Sequence, residues 1–479
     1  MSTAVVIGGG ISGLSSAYYL QKTSHFSKIL VLESSNRLGG WMKTVTTPQS
    51  AKLEMGPRSV RPVGLAGLNT LLLSEELGLS DEVVPVLRSS PAASDRYIYA
   101  NGKMNALPKK PLSLLTKKPP FSRPLFRYFL NDYVARKRPG DAPDESAYDF
   151  FSRRFDEDFA KYALDPLCRG IFAGDCRQLS LKSCFPMLHD AELRSRSVII
   201  GMLKNRTKVK PIRKCQLFER KQAEKWASFS FRNGLQQLPY TLSEVLKQNP
   251  NVEISKHSSC SDLEFNDDGA KLTVNGESVQ ADHVVSSIYS ADLASILADK
   301  HEDLRSFLKN IPAVDTVVAC FEFDEEIKMR PGFGHLTPSF VNSCVLGVIY
   351  DSCTFPEHDR PDKKSTRFTV MMGGSWFDDL KKAVPSMSNK DLGHFALDAL
   401  KTQLGITAKP SNVCVEHLPN CIPQYVLGHD NVLKNLSSII EKQKLPLSLV
   451  GSSYKGPSVN DCINNARLEM ERVVGKPLQ

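Results

Sequence analysis

The segment Val5-Val6-Ile7-Gly8-Gly9-Gly10-Ile11-Ser12-Gly13-Leu14, continued by Ser15-Ser16-Ala17-Tyr18-Tyr19-Leu20, constrains the fold more than any other part of the chain. Its β-branched run predicts a buried strand, its glycines a tight turn, and the residues after Gly13 a helix. In such a unit Gly8 permits the turn, Gly10 leaves room for a pyrophosphate, and Gly13 lets the helix lie close on the strand. The helix N-terminus then faces phosphate charge. The glycine spacing alone identifies a dinucleotide turn and no particular dinucleotide.

The next apolar run, Ile29-Leu30-Val31-Leu32, ends at Glu33, where an acid that binds an adenosine ribose is expected. An acid there favours a ribose without a 2′-phosphate. Ser34-Ser35-Asn36-Arg37-Leu38-Gly39-Gly40-Trp41 follows at once. Its Arg-x-Gly-Gly core resembles FAD-binding oxidoreductases rather than ordinary NAD dehydrogenases, which makes FAD the expected dinucleotide. Near the other end, Leu447-Ser448-Leu449-Val450-Gly451 predicts a strand, and the segment from Val459 to Ala466 opens a helix whose amides suit an electron-rich ring edge. Val252-Glu253-Ile254, Lys271-Leu272-Thr273-Val274 and the run 281–288 are expected to complete the same sheet. The dinucleotide domain is then discontinuous, with the intervening chain inserted into it.

A chain of 479 residues exceeds what one core usually supports, so two or three domains are expected. Its 41% hydrophobic and 24% charged content is that of a folded protein. Eleven cysteines without a CxxC pair suit free thiols and give no zinc spacing, so no metal is expected. No apolar run approaches the ~20 residues that span a bilayer. A removable presequence is not expected, because the first strand begins at once. The net charge of +9 is concentrated in part between Lys109 and Arg138, where basic residues mix with prolines, Leu112, Leu114, Leu115, Phe121, Phe126 and Phe129. That composition fits either a surface lying on anionic lipid or a charged helical subdomain in water. Residues 141–193 look helical, with a glycine-punctuated turn at 168–175. The basic stretch 194–220 has no nucleic-acid reader motif, so nucleic acid is not an expected partner.

Taken in order, Gly8 to Gly13, Glu33-Ser34-Ser35, residues 37–41, Gly56-Pro57-Arg58, residues 167–174, 332–336, 371–376, 421–425 and 459–463 resemble the animal protoporphyrinogen oxidase family within the flavin amine oxidase-like superfamily. The resemblance implies an α/β fold: a discontinuous Rossmann-like FAD-binding domain (1–90, 206–290, 430–479), a mixed α+β substrate domain (91–111, 291–429), and an inserted helical membrane-associated domain (112–205). It implies oxidation of protoporphyrinogen IX by FAD, with molecular oxygen as acceptor and hydrogen peroxide as by-product. It also implies a homodimer bound peripherally to the intermembrane-space side of the mitochondrial inner membrane, with ferrochelatase as a receiving partner. FAD is expected at Gly8, Gly9, Gly10, Ile11, Ser12, Gly13, Glu33, Ser34, Trp41, Gly56, Pro57, Arg58, Ser59, Cys260, Leu418, Pro457, Ser458 and Val459. Substrate is expected at Arg96, Phe333, Gly334, Leu336 and Met371, with Arg96 pairing a propionate. Arg58 is the candidate to steady reduced flavin. No general base stands out. The chain departs from relatives at Tyr289, where proline is common, and from many flavin oxidases at Leu418, where tryptophan is common.

Overall fold

The computed structural model describes residues 2–139, 143–204 and 213–478. Its first sheet is parallel throughout, in the order Leu447–Leu449, His283–Ser286, Thr3–Ile7, Lys28–Leu32, Val252–Ser255. Strands from three distant stretches of sequence therefore meet around the one that carries the glycine turn. That central strand is buried on both faces, which explains its unbroken apolar run. Ala4, Val6, Ile29 and Val31 face a core shared with the helices Ile11–Gln21 and Val459–Val474. Val5, Ile7, Leu30 and Leu32 face the other way, against Leu263, Phe265 and Leu272.

Those last residues correct an expectation. Lys271–Val274 does not enter the parallel sheet; it is the middle strand, Gly269–Val274, of an antiparallel meander with Cys260–Asn266 and Glu277–Ala281. Alternation is the reason: Ala270, Leu272 and Val274 point to one side, and a strand apolar on one face covers a parallel sheet rather than lying inside it.

A second, seven-stranded sheet runs in the order Asn412–Pro423, Ala313–Phe323, Thr366–Gly373, Val345–Tyr350, Gly334–Leu336, Tyr97–Ala100, Lys103–Ala106. One face packs Val317, Phe321, Phe368, Val370 and Met372 onto Leu380, Leu392, Ala396 and Leu400 of the helices Phe377–Ala383 and Asn389–Leu404. The period of two sends Val318, Cys320 and Leu418 to the opposite face, where they meet Leu53 and Met55 of the first unit. This second face holds the candidate site.

Between the two sheets the chain builds a helical unit around Phe121, Tyr128, Phe150, Phe151, Phe155 and Phe172. Its expected end at 205 lies outside the described residues. The expected glycine turn at 168–175 begins later than the sequence suggests. Cys168 to Phe172 belong to the helix Asp165–Phe172, which ends at a left-handed Ala173. Gly170 is a packing glycine rather than a breaker: a Cβ there meets Leu336 Cδ2 at 2.7 Å.

The unit is pinned by a buried charge cluster. Arg154 donates to Asp132 Oδ1 at 3.2 Å and to Glu192 Oε1 at 2.6 Å, and Asp132 also accepts from Ser197 at 2.6 Å. Removing the cation leaves buried Asp132 uncompensated and Glu192 with Arg153 alone. Arg154→Leu is expected to cost about 3–5 kcal/mol, seen as a fall in the denaturant midpoint; an unchanged midpoint contradicts the assignment.

Candidate active site

Backbone contacts shape the loop at the end of the first strand. Gly8 has φ +104°, and a Cβ on Gly13 would lie 2.0 Å from Gly8 O, so strand end and helix start touch main chain to main chain. Gly9 N donates to Glu33 Oε2 at 2.8 Å and Gly39 N donates to Gly9 O at 2.8 Å. The Arg37-Leu38-Gly39-Gly40 segment thus lies directly on the glycine turn. Arg37 ties that segment together, donating to the carbonyls of Leu38, Gly40 and Met42. Gly10 differs from its neighbours: a Cβ there meets only Gly40 Cα, at 3.8 Å. Its absent side chain leaves space that the protein does not otherwise fill.

Two helices point their N-termini at this loop. The helix Ile11–Gln21 begins there without a side-chain cap. The helix Val459–Val474 runs beside it in the same direction: Cys462 contacts Ser12, while farther along both Tyr19 and Arg467 donate to Asn69. Ser458 caps the second helix by accepting from Asp461 N. Gly451, at φ +106°, turns the preceding strand beside Ser287 O and Ser12 Oγ. Two macrodipoles converging on a cradle bounded by glycine backbone fit a pyrophosphate and an electron-rich ring. These are the features FAD requires: room at Gly10, Glu33 at the end of the second strand, and two aligned amide ends.

The remaining expected FAD residues divide by place. Ile11 and Ser12 are buried in the first helical turn, and Ser34 is exposed beyond Glu33. Ser258 N donates to Glu33 O at 2.8 Å, which carries the chain past Glu33 into Cys260. Burial pushes the Cys260 thiol up to about 11. Gly56 packs on Trp41, where a Cβ would lie 2.0 Å from Trp41 O. Pro57, Ser59 and Pro457 are half-buried around that turn. Asn460 Nδ2, in the first turn of the second helix, donates to Arg61 O at 2.7 Å and brings Val459 to the same segment. Leu418 is buried against Leu53 and Met55. Tyr289 is accommodated: its hydroxyl donates to Ile311 O at 2.9 Å.

Arg58 sits in this loop with a counter-ion that sequence reasoning missed. Its Nη1 lies 2.9 Å from Asp351 Oδ1, and both side chains are buried. The signal was available in principle, since Asp351 is an acid directly after the wholly buried strand Val345–Tyr350. Ser287 was likewise read only as strand, yet its hydroxyl donates to Ile7 O and Gly8 O at the turn. Glu54, four residues before Arg58, accepts from Leu235 N at 2.6 Å and Thr44 Oγ1 at 2.9 Å. Burial pushes its carboxyl up to about 7, against those hydrogen bonds and Arg58.

Of the expected substrate residues, Gly334, Leu336 and Met371 share the face of the seven-stranded sheet that meets the first unit, and Phe333 precedes them with Arg96 over its ring. Leu336 pairs with Gly347, and Gly347 with Met371, so the three share one face, and the Leu336 side chain covers Gly347, its Cδ2 3.1 Å from where a Cβ would stand. Met371 is the only residue of its strand that is not fully buried. Gly334, at φ +145°, passes so close to the next strand that a Cβ would lie 2.2 Å from Val348 O. Arg96 stacks on the Phe333 ring at 5.0 Å and donates to the carbonyls of Ala92 and Asp95. The nearby acid, Asp95, is paired with Lys109. His335 points to the other face, bonded to Tyr350 OH and Gln403 Oε1. Burial pushes its pKa down to about 4, and both ring nitrogens are engaged away from Met371.

Gly10→Val is expected to fold, because Gly10 has an ordinary φ of −74° and an open side, yet to lose its yellow flavin. Gly13→Ala is expected to lose stability itself. Flavin absorbance and thermal melts check both. Glu54 binds its proton more tightly when folded, so its stabilising contribution is complete below about 4.5 and is lost as pH rises through about 7. The melting temperature of Glu54→Gln relative to the native protein is therefore expected to rise across that window.

The family model for flavin-containing amine oxidoreductase matches residues 11–474. Protoporphyrinogen oxidase of Bos taurus is 41% identical over 99% of this chain and 98% of its own, and that of Homo sapiens is 40% identical over the same shares. A solved structure from Exiguobacterium sp. 255-15, described as a candidate protoporphyrinogen oxidase, superposes with a TM-score of 0.80 at 22% identity over 98% of both chains. The chain belongs to the flavin-containing amine oxidoreductase family, in the group of the protoporphyrinogen oxidases.

Proposed function

We propose that this protein oxidises protoporphyrinogen IX to protoporphyrin IX, passing electrons to FAD and from it to molecular oxygen with release of hydrogen peroxide. The observation that carries the reading is partly open Met371 on the sheet face that meets Leu53 and Met55 of the first unit, with Arg96 stacked on Phe333 at the start of two paired strands of the same sheet. A flat, apolar macrocycle with carboxylate arms needs that combination: an apolar surface with a flexible thioether, and a cation near it.

Bound FAD supplies hydride acceptance. The protein's part is to place and exclude. Met371 gives the ring an apolar contact, Arg96 holds a propionate, and the buried core of Leu53, Met55 and Leu418 keeps water from one flank. His335 faces away, so the accompanying proton leaves without help from that imidazole.

The same proposal places the enzyme as a homodimer on the intermembrane-space surface of the mitochondrial inner membrane, passing product to ferrochelatase. Exposed Leu112, Leu130, Val134, Met187 and Leu203 on the helical unit, with Lys117, Lys118 and Arg123 in the same stretch of sequence as the first three, support a lipid-facing patch. Among the described residues no helix is long and apolar enough to cross a membrane, so the contact is peripheral in this reading.

Purified protein given protoporphyrinogen IX in air is expected to develop red porphyrin fluorescence. Flavin bleaching by a polyamine with no red emission would point instead to an amine oxidase. Arg96→Ala is expected to raise KM about tenfold or more, from loss of a charge-assisted hydrogen bond, while flavin content holds. An unchanged KM removes the propionate assignment.

A further inference from the structure

Arg58 and Asp351 belong to a closed set of buried contacts that joins the two halves of the molecule. Arg58 Nη1 donates to Asp351 Oδ1 at 2.9 Å, and Thr369 Oγ1 donates to Asp351 Oδ2 at 2.6 Å. Thr369 Oγ1 lies 3.3 Å from Cys320 Sγ, and Cys320 Sγ donates to Glu54 O at 3.4 Å. Glu54 precedes the Met55-Gly56-Pro57 turn that returns to Arg58. Asp351, Thr369 and Cys320 come from the seven-stranded sheet and the short helix Asp351–Thr354 at its edge, whereas residues 54–58 come from the first unit.

The two oxygens of Asp351 are both used, and in different ways. One faces the guanidinium, and the other is held by a threonine that is itself buried in a strand. A carboxylate fixed at both ends cannot swing away from Arg58 without leaving Thr369 unpaired. Buried ion pairs held by additional hydrogen bonds keep their geometry, and in a poorly solvated site neither charge is screened by water. The loop therefore presents a compensated pair where a lone guanidinium was expected.

We propose that Asp351 is a positioning residue that cancels the charge of Arg58 beside the flavin and so holds down the flavin's reduction potential. Two-electron reduction of FAD, with uptake of one proton, leaves an anionic ring. An uncompensated cation nearby favours that ring, and a compensated one does not. The inference rests on FAD binding at this loop and is independent of the substrate.

The test is the two-electron midpoint potential of the FAD-loaded protein, measured spectroelectrochemically. Asp351→Asn keeps the shape and removes the charge. It is expected to shift the reduction equilibrium at least tenfold toward reduced flavin, a rise of about 30 mV for a two-electron couple. Asp351→Glu, which keeps the charge and changes the shape, is expected to stay closer to the native value than Asp351→Asn. Arg58→Gln/Asp351→Asn, which buries no lone charge and so folds where a single variant fails, is expected to stay within threefold of the native equilibrium. An unchanged or lowered potential in Asp351→Asn, a larger shift in Asp351→Glu than in Asp351→Asn, or a tenfold shift in the double variant overturns the proposal. A native protein that carries no flavin would refute FAD binding itself, a separate result.

Discussion

The structure depends on one close approach of backbone to backbone. Gly13 lies against the carbonyl of Gly8, so the first helix starts directly on the end of the first strand. Only with that approach do the helix amides open onto the space in front of Gly10. The same turn accepts Gly39 through Gly9 O, lies beside Ser287 and, through Gly451, orients the last helix. Three stretches of chain separated by some two hundred residues each are thereby fixed around a few glycines, and a phosphate is the group that such a cradle fits.

The second constraint is the alternation of the seven-stranded sheet. A period of two gives each strand one face for its own helices and one for the first unit. Val370 and Met372 go to the helical core, Met371 to the opposite face; His335 goes to Tyr350, Leu336 to the opposite face against Gly170. The site is the face left over once the core has taken every second residue. Its chemistry is accordingly sparse: apolar side chains, Arg96 stacked on Phe333, and His335 turned to the other face. Such a site suits a reaction in which the cofactor carries the redox work and the protein supplies position.

The parts legible in the sequence were those set by local backbone demands. Gly8 and Gly13 announce their roles because the backbone there leaves no room for a side chain, Gly10 because a side chain would fill the phosphate space, and Glu33 follows by strand length. The helix at 459 and the strand at 447 are likewise local signals. The misjudged elements are those whose state is decided by a distant neighbour. Lys271–Val274 has strand propensity in either sheet, and only the alternation of its apolar residues assigns it to the meander. Gly170 looked like a turn because its reason, the approach of Leu336, lies over a hundred and sixty residues away. Arg58 was legible as a site residue, but its neutralisation by Asp351 was not, since an ion pair across 293 residues leaves no spacing to recognise.

The measurement that bears most directly on the account is an anaerobic titration of the FAD-loaded protein with protoporphyrinogen IX, following flavin bleaching and porphyrin absorbance together. Conversion of the porphyrinogen removes six electrons, two for each flavin reduced. The account predicts that flavin bleaches as porphyrin forms, with about three flavins reduced for each porphyrin produced. Porphyrin that appears while the flavin stays oxidised, or flavin that no amount of porphyrinogen reduces, would contradict it.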